Sequence, residues 1–109
     1  MTEAGDCYEA AVHFMWAAIE QGKAEGLTVC HGEVEGQGAL RGQRFGHAWC
    51  ERDLPGVDIV TDASNSRMVA MIRPEYYRLG RIDPDKVKRY TAKEVNEKLV
   101  EYEHFGPWE

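Results

Sequence analysis

Near the start of the chain the apolar residues recur at helical intervals: Ala10, Ala11, Phe14, Met15, Ala18 and Ile19, with Cys7 ahead of them on the same face. That spacing predicts a helix over residues 6–21. Asp6 with Glu9 three residues later has the form of a capping box, which makes Cys7 the first helical residue. Gly22 and Gly26 end the element. Residues 27–31 read as a short strand of β-formers, followed by a glycine-rich turn at Gly32, Gly36 and Gly38. Residues 45–51 and 57–61 predict two further strands, joined as a hairpin through the tight-turn sequence Asp53-Leu54-Pro55-Gly56.

A fourth strand is expected over residues 68–72, and Pro74 suits the first turn of a short helix over 75–79. After the turn Asp83-Pro84-Asp85, residues 87–90 form a fifth candidate strand. Thr91 and Glu94 make a second capping box, opening a helix to about Glu103 with Val95, Leu99 and Tyr102 inward. Phe105 and Trp108 put two large aromatics on the tail, which is therefore expected to fold back onto the body. The pattern contains no repeat, linker or low-complexity tract. It predicts one α+β domain over residues 1–109: an N-terminal helix carrying the cysteine, an antiparallel sheet of about four to five strands, and a closing C-terminal helix.

Composition narrows the functional classes. With 43% hydrophobic and 29% charged residues the chain has ordinary globular chemistry. Its net charge of -6 speaks against nucleic acid or an anionic membrane as a partner. The densest basic stretch, Lys86 to Arg89, reads as a solvated strand. No secretory signal pattern and no apolar run of membrane-spanning length occurs, so a soluble, cytoplasmic protein is expected. Three cysteines, Cys7, Cys30 and Cys50, are then free thiols rather than a disulfide framework.

The chemistry lies in the order Cys7, His47, Asp62, each at the edge of an expected element. A thiol becomes a strong nucleophile when it ionises, and a helix N-terminus and an imidazole both favour the thiolate. The imidazole in turn needs a group that fixes its tautomer. Pairing residues 45–51 with 57–61 brings His47 near Asp62. Asn65 is an alternative orienting group, since an amide also holds an imidazole. For catalysis His47 is expected to face the leading helix, sharing its side with Phe45 and Trp49.

Gly-Asp-Cys-Tyr-x-Ala at a helix start, then Gly-His-Ala-Trp-x-Glu on a strand, then an Asp closing the next strand, resembles the transglutaminase-like branch of the papain-like cysteine enzymes. The resemblance covers roughly residues 5–65. It implies a papain-like core with Cys7 as nucleophile, His47 as general base and Asp62 as orienting carboxylate. It also implies acyl transfer on an amide or ester of a peptide or protein substrate, with no cofactor. Residues 1–6 are not expected to supply a papain-type side-chain donor upstream of the nucleophile. An oxyanion hole would combine the Cys7 backbone N–H with Gln43, His31 or Tyr8. Trp49 and Arg67 are candidates for substrate contact, with Arg73, Tyr76 and Tyr77 beside them.

Two other readings compete. A binding module, inhibitor or adaptor would keep the scaffold without an ionised thiol. Zinc would need Cys30, His31, His47 and Cys50 to converge, yet strand alternation turns Cys30 from His31 and His47 from Cys50, and no Cys-x-x-Cys knuckle occurs. No metal is expected.

Overall fold

Five strands in the order β4-β3-β2-β1-β5 form one antiparallel sheet, with helices on both of its faces. The computed structural model describes residues 6–36, 38–63 and 67–108, with Asp6 as backbone only. Along the chain come α1 (Asp6–Glu20), β1 (Leu27–Glu35), β2 (Arg44–Leu54), β3 (Val57–Asp62), β4 (Val69–Ile72), α2 (Arg73–Gly80), β5 (Lys88–Tyr90) and α3 (Ala92–Tyr102). The expected α+β class holds: a cysteine-bearing first helix, an antiparallel sheet, a closing helix. Among the described residues no helix is long and apolar enough to cross a membrane.

The centre of the sheet is buried on both sides, which is why β1 and β2 carry consecutive rather than alternating buried residues. One core joins Ala11, Val12 and Met15 of α1 to Val29, Ala48 and Cys50 of the sheet, with Val95 of α3 and Trp108 of the tail. The tail does fold back, leaving Trp108 2% exposed. The other core joins Tyr77 of α2 and Ile82 to Cys30, Val34, Trp49 and Val60. Cys30 and His31 thus face opposite sides, as alternation requires.

The largest departures from the pattern lie in β1 and β2. β1 runs four residues past His31, straight through Gly32, which is not a turn. Gly32 pairs with His47 in the ladder, and a Cβ there would lie 2.8 Å from the Trp49 ring. The glycine therefore serves close packing rather than a reversal. β2 is longer at both ends than expected. The capping box at Thr91 and Glu94 is present with both reciprocal bonds, whereas the one proposed at Asp6 rests on a side chain outside the described residues.

The register of β2 has a consequence for the site. Its ladder with β1 extends from Leu27–Arg52 to Glu35–Arg44, but its ladder with β3 runs only from Leu54–Val57 to Cys50–Thr61. Among the described residues, the half of β2 from Arg44 to Trp49 has β1 on one side and no strand on the other. His47 sits on this free half.

Candidate functional site

Cys7 lies in the first turn of α1, where backbone N–H groups lack intrahelical acceptors and the helix dipole is positive. Its side chain is hydrogen-bonded to His47. On the other side of the ring, His47 Nε2 lies 2.8 Å from Asp62 Oδ2. The imidazole thus bridges a thiol and a carboxylate, which leaves Nδ1 for the sulfur. Burial alone would lower the pKa of His47. Hydrogen bonds and negative charge from Asp62 and Cys7 reverse this and push it up to about 9. The resting ring at neutral pH is an imidazolium, the form that stabilises a neighbouring thiolate.

The sequence expectation about orientation is corrected here. His47 does share a face with Phe45 and Trp49, but that face carries α2, not α1. Ala48 and Cys50 are the β2 residues beneath α1, and Cys50 Sγ donates to Ala11 O at 3.3 Å. Cys7 nevertheless meets His47, because β3 has left the ladder there and the first turn of α1 reaches the open edge of β2.

Two side chains brace the pair. The Tyr76 hydroxyl of α2 donates to Asp62 Oδ2 at 2.6 Å, the same oxygen that contacts His47. Burial, followed by the charge of Asp62, raises the Tyr76 pKa, so the phenol remains a donor. Trp49, fully buried, stacks on His47 with ring centroids 6.1 Å apart and an interplanar angle of 29°. Its indole N–H donates to Glu51 at 2.9 Å, and Glu51 also accepts from Tyr77 and Arg89. Burial would raise the Glu51 pKa, but these donors hold the carboxyl below its ordinary value. Trp49 is therefore a support for the imidazole rather than a substrate contact.

Comparison with family models, curated proteins and solved structures found no match. The site is accordingly read from its own geometry.

The other candidates fall outside the Cys7–His47–Asp62 cluster or beside it. Gln43 is exposed and precedes β2, four residues from His47, roughly 13 Å along an extended strand. His31 lies on the α1 face, paired with Ala48, and its ring packs against Tyr8, Tyr90 and Trp108. Both of its nitrogens are buried without a hydrogen-bond partner. Burial, then the charge of Lys88, lowers its pKa to about 4. A neutral, enclosed ring of this kind is a core residue and is not aimed at the thiol. Tyr8 directs its hydroxyl to Gly46, where a Cβ would lie 2.6 Å from the oxygen. Burial, and then Cys7, raises the pKa of Tyr8 to about 12, which keeps it a donor beside the sulfur. Arg67 is exposed and forms no wall of the cavity at His47. Asn65 and Ser64 lie outside the described residues.

Tyr76 is the residue that sequence reasoning undervalued. Its signal was weak, since α2 is a short helix whose register on the sheet depends on the tertiary fold. Cys30 and Cys50 lie in the two cores. Burial raises the pKa of both, that of Cys50 to about 12, and neither has an imidazole beside it.

Proposed function

We propose that the protein is a cysteine-dependent acyl-transfer enzyme, acting on an amide or ester of a peptide or protein through Cys7, His47 and Asp62. The observation that carries this reading is the single imidazole held between a helix-start thiol and a buried-edge carboxylate. The resemblance to transglutaminase-like, papain-like enzymes belongs to the same reading. So does a cytoplasmic, reducing setting, in which all three cysteines stay free.

The chemistry follows from the charges. The Cys7 thiolate adds to the acyl carbon, forming a C–S bond while the carbonyl electrons move to oxygen. Backbone N–H groups in the first turn of α1 supply donors for that oxyanion, and the Tyr8 hydroxyl, which lies against Gly46 next to His47, is a further candidate donor. As the C–N or C–O bond breaks, the His47 imidazolium passes its proton to the leaving group. Neutral His47 then takes a proton from water or an amine, which attacks the thioester and releases the thiolate. Asp62 keeps Nε2 as the proton-bearing nitrogen throughout.

The test is the alkylation rate of each cysteine against pH, followed by mass spectrometry, in the wild type and in His47→Ala. Cys7 is expected to react fast below a pH of roughly 8.5, where an ordinary thiol is protonated, and to lose that advantage without His47. A Cys7 that reacts no faster than Cys30 and Cys50 would point to a binding module instead.

A further inference from the structure

His47 and Asp62 form the floor of a groove of about 300 Å³ on the α2 face of the sheet. Its walls are mostly apolar, from Val34, Phe45, Val69, Met71 and Leu79, with Glu35 at one end. Phe45, Val69 and Leu79 are each about two-fifths exposed (39%, 42% and 42%) and converge on this one groove, so an apolar group seated there would cover all three. The volume is at the lower end for small-molecule sites, enough for one side chain with its flanking backbone.

Beyond a common wall of Glu35, Gly36 and Leu79 lies a second cavity of about 340 Å³. Arg41, Arg78 and Arg81 line it. Arg81 pairs with Glu35 at 3.5 Å and Arg78 with Glu75, whereas Arg41 forms no ion pair among the described residues. Three guanidiniums against two carboxylates leave a local positive excess on a chain of net charge -6. An apolar groove at the imidazole is thus continued by a basic surface.

Which half of the substrate occupies the groove follows from the proton transfer. Cys7 is not one of its walls; His47 is. The group above the imidazole is the one that receives its proton, namely the leaving amine. We propose that the two cavities select this amine: the α-amine of an apolar residue, its side chain in the groove, with a carboxylate following toward Arg41. By microscopic reversibility the same amine is the preferred acyl acceptor. The inference rests on the acyl-transfer reading above.

The experiment acetylates Cys7 with p-nitrophenyl acetate, which releases p-nitrophenolate and leaves a thioester. Dipeptides then compete with water for the acetyl group: the amine forms the C–N bond, the C–S bond breaks, and His47 accepts the amine proton. Leucyl-aspartate is expected to capture acetyl about tenfold better than seryl-aspartate, the worth of burying one apolar side chain. It should exceed leucyl-lysine by about fivefold, the scale of one exposed charge pair. Arg41→Glu should abolish the preference over leucyl-lysine. Leucyl-glycine and leucyl-aspartyl-amide separate a terminal carboxylate from a side-chain one, and parity of both with leucyl-glycinamide overturns the anionic half. Equal capture of leucyl and seryl acceptors by an acetylated Cys7 overturns the groove assignment while sparing the catalytic reading. Absence of acetyl-Cys7 overturns both.

Discussion

The Tyr76 hydroxyl and His47 Nε2 meet at one atom, Asp62 Oδ2, at 2.6 and 2.8 Å. A helix from one side of the sheet thereby fixes the carboxylate that fixes the imidazole. Tyr76→Phe removes a donor without adding volume, and the freed oxygen should then bind the imidazolium more strongly but less directionally. The expected outcome is a further rise in the His47 pKa, read by ¹⁵N-histidine NMR, with a loss of about tenfold in acyl transfer. In an Asp62→Asn background the same change should leave His47 unmoved, because Tyr76 acts through the carboxylate. A shift of His47 in that background would refute the relay.

Asp62→Asn tests the carboxylate itself. Its hydrogen bond and charge help to push His47 up to about 9. The amide keeps an acceptor but loses the charge, so the imidazole should titrate closer to its ordinary value of about 6.5. NMR titration reads this directly; a pKa still near that of the wild type would assign the elevation to Cys7 alone.

His31 and His47 bend folding stability in opposite directions. His31 titrates at about 4 when folded and near 6.5 when unfolded, so the unfolded chain binds more protons and stability falls as pH drops through that interval. At about 1.4 kcal/mol per pH unit the loss approaches 3 kcal/mol. His47 is raised to about 9, so its contribution is complete below about 6.5 and is lost as pH rises to 9. Urea unfolding should therefore give a maximum near neutrality. His31→Gln should flatten the acid limb, and an unchanged acid limb in that variant would exclude His31 as its cause.

Gly32→Ala should be costly for a strand substitution. The added methyl would lie 2.8 Å from Trp49 Cη2 and 3.3 Å from Val87 Cγ2. Trp49 is fully buried and stacked on His47, so relief must move the imidazole's support. A loss of about 1–3 kcal/mol is expected, together with a perturbed His47 resonance. A stable variant with an unaltered His47 signal would show that Trp49 moves independently.

What the sequence disclosed and what it hid divide along a physical line. Local signals were legible: the Thr91–Glu94 capping box, the turn at Pro55-Gly56, and the hairpin that brings His47 to Asp62. Long-range geometry was not. Strand alternation correctly grouped Phe45, His47 and Trp49, but period-2 logic cannot say which helix covers which face. Gly32 reads as a turn former in isolation, and only the Trp49 ring above it explains its place within a strand. Glu51 closes the Gly-His-Ala-Trp-x-Glu motif, but the motif does not show that this carboxylate is buried. Its burial depends on Tyr77, Arg73 and Arg89, which the chain supplies 22 to 38 residues later.

The early departure of β3 from β2 divides one strand into two territories. From Cys50 to Arg52 each residue is paired with a strand on both sides, and change there alters how firmly the sheet holds. From Arg44 to Trp49, among the described residues, only β1 flanks the strand, and His47 lies on that stretch. The same eleven residues thus join an end that holds the sheet together to an end that leaves the imidazole open to groups from outside it.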